Sequence, residues 1–360
     1  MIDKLKEAFE RNLTEGLEQG GAVSVWKDGC ELCTICGGEA RAGHVWQSST
    51  LVPIYSATKP AAAACLLQAL HDCCRDPELP VGDLWPQFPL PRLTIAQLLS
   101  HQGGLAALAE PAPLEDLGAC RRAIEKSKPL WCPPQHGYHP QTFGPMVDIL
   151  MTELTGKRVS DYWEERVRRP LGLEFFIGHV PESLYGQVAE LRTARMLGAM
   201  PRTPFYREYF DECSAVHRAF HSIEGYGSAR EMNTPAAWQV GSPAKGGVAS
   251  ARGLAMFYQA LLGKLSATPF APEVAEWMSS PQCSGLDRTL LEHTAFGCGA
   301  MCEPEEFFGK GGFGHAGAGG SLGLCRPDSG LSFAYVMRGM ELGNLPGKRV
   351  VRLLSAISDN

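Results

Sequence analysis

The sequence predicts an α/β (α+β) protein in which both ends of the chain build one antiparallel sheet, flanked by terminal helices, with a mainly helical lobe inserted between them. Strand patterns with turn signals occur near the N-terminus and return only near the C-terminus, whereas the long middle part has helical periodicity. We therefore expect a sheet domain at residues 1–58 plus 290–360, a helical domain at residues 59–289, and a functional site between them.

Two β-hairpins are predicted, one near each end. Residues 21–26 and 31–36 surround an Asp-Gly turn, a strong hairpin signal. Residues 319–325 and 331–337 surround a Pro-Asp-Ser-Gly turn, and a final helix follows at residues 348–357. The strands of the sheet therefore come from both ends of the chain.

The middle part is predicted to be mainly helical. An alanine- and leucine-rich helix begins near Lys59, and further helical patterns occupy residues 94–100 and 142–154. Pro60 fits only in the first turn of a helix, where its missing N–H is not needed. The first helix of the lobe must therefore begin close to Ser56.

Ser56 and Lys59 form an S-x-x-K pair at the start of that helix. Residues three apart on a helix share a face, with Cβ atoms about 5 to 6 Å apart, so the Lys59 amine can reach the Ser56 hydroxyl and activate it. The helix dipole and the free N–H groups at the N-terminus also favour an oxyanion. The pair indicates a serine nucleophile; its alternative is that Ser56 is a helix cap and Lys59 a solvated side chain.

The composition favours an enzyme that acts on small molecules. The chain has 360 residues, of which 44% are hydrophobic and 20% charged, with a net charge of −6 and a pI near 6.0. This mildly acidic balance, without a basic run, argues against nucleic acid or an anionic membrane as partner. Residues 1–12 predict an amphipathic helix with Ile2, Leu5 and Phe9 on one stripe and no signal-peptide core, so we expect a cytoplasmic protein.

Thirteen cysteines are a high number, and we interpret them as reduced thiols. Four are scattered as core residues would be: Cys65, Cys120, Cys213 and Cys298. Cys30, Cys33 and Cys36 have the C-x2-C-x2-C spacing of an iron–sulfur motif, but no fourth ligand follows and the segment is predicted as a strand. We therefore expect neither a metal nor a cofactor.

Several motifs together resemble the serine β-lactamase and penicillin-binding-protein superfamily. Besides Ser56-Ala-Thr-Lys59, the matching segments are residues 93–105, 131–144, 170–173, 242–252 and 313–323. Their order along nearly the whole chain is most similar to the class C β-lactamase-like branch, and closest to the family VIII carboxylesterases. The resemblance implies a β-lactamase/transpeptidase-like fold and a serine hydrolase.

The resemblance also implies roles for four further residues. Tyr138 stands in the second motif of the family, where a tyrosine relays protons between the nucleophile and the leaving group. The backbone N–H of Ala318 would join that of Ser56 in the oxyanion hole. His315 and Gly317 belong to the third motif, on the strand that borders the site, and are expected to contact substrate.

Two positions depart from the β-lactamase pattern. His315 stands where many β-lactamases have a lysine for the drug's carboxylate, and a histidine is largely neutral at pH 7 unless its surroundings raise its pKa. Pro140 stands where class C enzymes have an asparagine, and it offers no donor. Both departures argue against efficient β-lactam turnover and favour less polar acyl substrates.

A competing motif surrounds Ser321, which lies in a G-x-S-x-G pattern. The nucleophile elbow of that pattern needs a helix after the serine, but the following residues alternate like a strand and reach Pro327, so we interpret Ser321 as non-catalytic. Three histidines are interpreted as structural: His101, His217 and His221.

The expected reaction is hydrolysis of a small-molecule carboxylic ester through a Ser56 acyl-enzyme, with Lys59 and Tyr138 as proton carriers. Three alternatives stay open: an acyltransferase on the same scaffold, a D-aminopeptidase or β-lactamase-type amide hydrolase, and a catalytically silent ligand-binding protein. The expected partner is a small ester or acyl compound, with neither nucleic acid nor membrane. The sequence predicts no oligomeric state.

Overall fold

The computed structural model describes residues 1–193, 203–343 and 347–358. The strands are β1 Gly20–Lys27, β2 Cys30–Arg41, β3 His44–Val45, β4 Val52–Tyr55, β5 Ala112–Pro113, β6 Phe175–Ile177, β7 Ile223–Glu224, β8 Gly247–Ala249, β9 Cys283–Leu286, β10 His293–Phe296, β11 Phe313–Ala316, β12 Leu322–Arg326 and β13 Leu331–Met337.

The helices are α1 Ile2–Thr14, α2 Lys59–Asp72, α3 Ile95–Leu99, α4 Leu117–Lys126, α5 Phe143–Thr155, α6 Val159–Trp163, α7 Arg169–Leu171, α8 Pro204–Phe210, α9 Ala215–His221, α10 Ala229–Met232, α11 Pro235–Val240, α12 Ala251–Leu261, α13 Pro272–Ser279, α14 Glu305–Phe308 and α15 Lys348–Ser358. Short 3-10 turns include Ser56–Thr58 and Pro327–Ser329, and Glu164–Arg168 is a π-helical turn between α6 and α7.

The main sheet is antiparallel and contains strands from both chain ends. Its order is β11-β12-β13-β1-β2-β3, and β1 pairs with β13 so that Val23 lies opposite Tyr335. Both predicted hairpins are present, as β1–β2 and β12–β13, and the predicted final helix is α15. The expected α/β (α+β) architecture is confirmed, because turn chemistry and strand alternation are local signals that the chain carries in full.

Helices cover the sheet. α1 packs against α15 and β2, and α12 packs against β1 and β13, so that β1 is buried along all but its last residue. In α1 the buried stripe consists of Leu5 and Phe9, whereas Ile2 in the first turn is 43% exposed. Although α12 lies within residues 59–289, it packs directly on the sheet, and the division into two domains stays a prediction.

The alanine-rich helix α2 is the centre of the inserted part. It packs against α5, α6 and α13 and is buried from Lys59 to Leu70. Its short side chains allow close approach: a Cβ added to Gly299 would lie only 2.2 Å from the Cβ of Ala63. A smaller three-stranded sheet, in the order β4-β8-β6, leads the chain into this helix. The start of α2 is therefore buried among the surrounding elements.

All thirteen cysteines lie in the described residues and are free thiols. Cys65, Cys120 and Cys298 are buried as predicted, but the prediction for Cys213 is wrong, because it follows α8 in an exposed segment. Within residues 1–193, 203–343 and 347–358, no cluster of three or more His, Cys, Asp or Glu side chains has a metal-binding arrangement. No helix in the same part of the chain has both the length and the apolar character to cross a membrane.

Candidate active site

Ser56 lies at the junction of β4 and α2, as the first residue of a 3-10 turn that continues into the helix. The preceding Tyr55 has a φ of 48°, a strained conformation for a residue with a side chain, which costs on the order of 1 to 3 kcal/mol. Thr58 holds the turn: its hydroxyl donates to the Tyr55 carbonyl at 2.6 Å and accepts from the Gly247 N–H at 2.9 Å. The position of Ser56 is therefore imposed by its surroundings.

Lys59 contacts Ser56 directly. Its Nζ lies 3.1 Å from Ser56 Oγ and donates to the carbonyl oxygens of Pro140, at 3.1 Å, and Ala244, at 3.0 Å. An ammonium group could donate to all three oxygens, whereas a neutral amine donates to the two carbonyl oxygens and directs its lone pair at the Ser56 hydroxyl. Pro140, which has no donor, still orients the lysine, because its carbonyl oxygen takes part instead of a side-chain amide.

The surroundings of Lys59 disfavour its charged form. The side chain is fully buried, and none of the described carboxylates forms an ion pair or hydrogen bond with it. Burial lowers the pKa of Lys59 well below its ordinary value, and the positive charge of Lys245 lowers it further. A neutral amine 3.1 Å from a serine hydroxyl can accept the hydroxyl proton.

Tyr138 lies beside this pair. The Lys59 Nζ is 4.8 Å from the centre of the Tyr138 ring, and the buried phenol oxygen has no hydrogen-bond partner among the described residues. Burial raises the pKa of Tyr138 above its ordinary value, which the neighbouring Ser56 hydroxyl partly offsets and the negative charge of Asp287 reinforces. The phenol is therefore protonated at neutral pH and available as a proton donor.

Asp287 positions the backbone of Tyr138. Both carboxylate oxygens accept the Tyr138 N–H, each at 3.0 Å, and one also accepts the N–H groups of Thr289 and Leu290 at 2.7 Å. The Thr294 hydroxyl completes the set at 3.3 Å. A fully buried carboxylate with this many donors makes a rigid anchor.

The ring of Tyr138 packs against other aromatic side chains. His101 is edge-on to it at 4.9 Å, and Phe296 is stacked with it at 6.1 Å. His101 Nδ1 also accepts the His139 N–H at 3.3 Å, and burial lowers the pKa values of both histidines. His101 therefore packs against the candidate site, and its interpretation as a structural residue stays a prediction. His217 and His221 stack on each other in α9.

His315 lies on β11, with its ring centre 5.6 Å from that of Tyr138. Its Nδ1 is 2.6 Å from the Ala316 carbonyl oxygen, which can only accept, so the proton is on Nδ1 and Nε2 is an acceptor. Nε2 is buried and has no partner within the described residues. Burial, with a smaller contribution from Lys59, lowers the pKa of His315 to about 3, so the side chain is neutral at pH 7. Its contact with substrate stays a prediction.

Gly317 and Ala318 follow the end of β11, which contacts the Ser56–Thr58 turn. A Cβ on Gly317 would lie 2.1 Å from the Ile54 carbonyl oxygen, so only glycine fits there. The Ser321 hydroxyl donates to the same carbonyl at 2.9 Å, and β12 follows directly, so the structure supports a tethering role for Ser321. The segment with Ala318 is thereby held against the strand that leads to Ser56.

Sequence reasoning missed four contributors to this arrangement. Asp287 belongs to none of the recognised motifs, and the carbonyl oxygens of Pro140 and Ala244 act through the backbone, which no residue type signals. Lys245 lies inside a segment quoted for the family resemblance, but its burial was not foreseen. Two surface cavities, of about 490 and 470 Å³, are lined by other residues and not by Ser56, so neither is the candidate active site.

Nearly the whole chain is similar to known proteins. Residues 8–356 match the family described as Beta-lactamase. The chain is 30% identical over 339 residues to the esterase/beta-lactamase LipL of Mycobacterium tuberculosis, covering 88% of this chain and 76% of LipL. A penicillin-binding protein homologue from Caulobacter crescentus has 27% identity and a TM-score of 0.87, over 99% of this chain and 96% of the homologue. A family VIII carboxylesterase has the same identity and TM-score, over 98% of this chain and 96% of that one.

Proposed function

This chain belongs to the beta-lactamase family, and we propose that it hydrolyses carboxylic esters of a small molecule through an acyl-enzyme on Ser56. The chain is a serine hydrolase of the esterase/beta-lactamase type, and two of its relatives are named as esterases. The observation that carries the proposal is the 3.1 Å contact of Ser56 Oγ with Lys59 Nζ, an amine whose surroundings oppose its protonation. Such an amine can activate the serine without a histidine.

In the first step, Ser56 Oγ attacks the ester carbonyl carbon while Lys59 Nζ takes the hydroxyl proton. The carbonyl oxygen becomes an oxyanion, for which the N–H groups of Ser56 and Ala318 are the proposed donors. The N–H of Ser56 is at the start of the turn, where a helix leaves its first N–H groups without an acceptor.

In the second step, the bond to the alcohol breaks and the departing oxygen takes the Tyr138 proton. The Lys59 ammonium then returns a proton to Tyr138, which restores both groups. Water enters by the reverse route, with Lys59 as base, and releases the acid from Ser56. This assignment of base and acid follows the opposite pKa shifts of Lys59 and Tyr138.

Two features favour esters over amides and β-lactams. At Pro140 the chain contributes a carbonyl oxygen to Lys59 and no amide to the substrate. At His315 a neutral ring replaces the cation that would hold a drug carboxylate. The proposed substrate is therefore a small ester without an essential negative charge near His315.

The test compares short-chain p-nitrophenyl esters, the matching p-nitroanilides and nitrocefin as substrates of the native chain and its Ser56→Ala variant. We expect ester turnover that Ser56→Ala abolishes, with little turnover of anilide or nitrocefin. The matched control is Ser321→Ala, which removes the serine of the competing motif and should retain ester turnover.

Turnover that survives Ser56→Ala and disappears in Ser321→Ala would overturn the choice of nucleophile. Faster anilide or nitrocefin turnover would favour an amide hydrolase. Addition of an alcohol tests the acyltransferase alternative: a new ester formed in place of the free acid would identify transfer to the alcohol as the main reaction. Absence of turnover with every substrate, together with no labelling of Ser56 by a fluorophosphonate, would favour a silent binding protein.

A further inference from the structure

A second buried lysine directly follows one of the residues whose carbonyl oxygen contacts the proposed base. Lys245 belongs to a turn closed by the Gly246 N–H, which donates to the Ser242 carbonyl at 2.8 Å. The preceding residue, Ala244, provides a carbonyl oxygen to Lys59. Lys245 is only 4% exposed, and its Nζ donates to the Gly225 carbonyl oxygen at 3.0 Å. One turn therefore holds Lys59 through its backbone and carries a second amine on its side chain.

The two amines differ in the charges around them. Burial lowers the pKa of Lys245 to about 8, and the negative charge of Glu231 on α10 works against that fall. Lys245 is therefore mostly charged at neutral pH. No described carboxylate reaches Lys59, whose titratable neighbours besides Lys245 are the neutral phenol of Tyr138 and three buried histidines: His101, His139 and His315.

We propose that Lys245 is a positioning residue for the reaction: its ammonium group keeps the Lys59 amine uncharged and ready to accept the Ser56 proton. Two like charges close together in a buried region repel each other strongly, so one of the two gives up its proton. Lys245 has Glu231 nearby and keeps its proton, whereas Lys59 has only neutral acceptors and loses it. The inference rests on the proposed role of Lys59 as base.

The test is the pH dependence of Ser56 acylation in the native chain and in Lys245→Met. Because only the neutral form of Lys59 accepts a proton, the rate rises with pH through the pKa of Lys59. Removal of the Lys245 charge raises that pKa, so the acidic limb of kcat/KM for a p-nitrophenyl ester should move upward by on the order of one pH unit. Above that limb the rate of the variant should approach the native rate.

Two further variants separate charge from packing. Lys245→Arg keeps the positive charge and should keep the acidic limb near its native pH, even if overall activity is lower. Lys264→Met removes a lysine beside Asp28, on an exposed segment, and is the matched control for net charge. It should leave the limb unchanged. Thermal unfolding of each variant shows whether it is folded, and if Lys245→Met is not, Lys245→Gln replaces it.

A loss of equal size at every pH in Lys245→Met would overturn the proposal and leave a structural role. An increase in KM confined to esters that carry a carboxylate, with no movement of the limb, would also overturn it, in favour of direct substrate binding by Lys245.

A readout that needs no ester turnover keeps this inference distinct from the proposed function. The rate at which a fluorophosphonate labels Ser56 also depends on the Lys59 amine, because Ser56 Oγ forms the bond to phosphorus, fluoride leaves and Lys59 takes the proton. Labelling without ester turnover would contradict the proposed esterase, and its pH limb would still test Lys245. If no labelling occurs, the titration of the ¹³C-labelled Lys59 side chain by NMR, assigned with Lys59→Arg, measures the same shift.

Discussion

Buried basic side chains have carboxylate partners beside the main sheet but only uncharged oxygen partners at the candidate site. On the sheet side, Arg349 is 3.2 Å from a Glu18 carboxylate oxygen and 3.0 Å from one of Glu341. The buried Arg338 lies 3.3 Å from each of two glutamates, Glu39 and Glu190. Each buried arginine therefore has two carboxylate partners.

At the candidate site, the buried basic groups are lysines that form no ion pair with a described carboxylate. Lys59 has a hydroxyl and two carbonyl oxygens, and Lys245 has one carbonyl oxygen. A guanidinium cannot lose its proton in a protein, so its burial requires a counter-charge. An amine can lose its proton, and burial without a counter-charge turns it into a base. The same chain uses one arrangement for stability and the other for chemistry.

The largest expected effect is that of Lys59→Met on turnover. Removal of the base should lower kcat/KM for a p-nitrophenyl ester by at least about 10³-fold. Stability should fall less than in a variant that leaves a buried carboxylate unpaired, because methionine fills a similar space and only two carbonyl oxygens lose a donor. Kinetics and urea unfolding of the same preparation measure both quantities. A loss of stability as large as that expected for Arg349→Met would contradict the conclusion that Lys59 serves catalysis and not stability.

Arg349→Met, the corresponding change on the sheet side, should mainly affect stability. It leaves the buried Glu18 without its guanidinium partner, and we expect the free energy of unfolding to fall by about 3 to 5 kcal/mol. Burial raises the pKa of Glu18 while Arg349 works to lower it, so the loss should be smaller at acid pH, where Glu18 is protonated. Urea unfolding measures it, and the double variant with Glu18→Gln should recover part of the stability.

Tyr138→Phe should have an intermediate effect that is confined to activity. Loss of the proton donor should lower kcat by about 10² to 10⁴-fold. Stability should change by less than about 0.5 kcal/mol, because the hydroxyl has no hydrogen-bond partner among the described residues. Tyr162→Phe is the matched control, since the Tyr162 hydroxyl is likewise buried without a partner in the described structure but lies on α6. Equal losses of activity in both variants would argue against a specific role for Tyr138.

The smallest predicted effect is a displaced pH profile. The proposed mechanism needs Lys59 deprotonated and Tyr138 protonated. The pKa of Lys59 is lowered, so the acidic limb of kcat/KM should lie well below pH 10.5; the pKa of Tyr138 is raised, so no alkaline limb should occur before about pH 10. A rate profile from pH 5 to 10.5, with circular dichroism at each pH as control, measures both limbs. An alkaline loss near pH 8, in a chain that stays folded, would contradict the assignment of Tyr138.

Much of the fold was predictable because its signals are local. The hairpins follow from turn residues beside alternating strands, and α2 follows from its alanines and the position of Pro60. Burial of a single residue is not a local property, which is why the prediction for Cys213 was wrong. Residues 194–202, 344–346 and 359–360 lie outside the described part of the chain.

The candidate site likewise has some contacts that the sequence predicts and others that it does not. The S-x-x-K spacing places Lys59 beside Ser56 through helix geometry alone, and the contact is present at 3.1 Å. The contacts that orient these groups join distant parts of the chain: Ala244 is 185 residues from Lys59, and Asp287 is 149 residues from Tyr138. Backbone carbonyls look alike in every sequence, so nothing in the residue types could reveal which of them would hold the lysine.

By itself, the sequence determined the sheet made from both chain ends, the family of the chain and the pairing of a serine with a lysine one helical turn away. Only the tertiary structure decided the charge state of that lysine. A pKa depends on desolvation and on the charges nearby, and both arise when α2 is enclosed and the turn that carries Ala244 and Lys245 is brought against Lys59. The serine was a nucleophile candidate from its spacing to the lysine. The fold buries that lysine without a counter-charge that would keep it protonated.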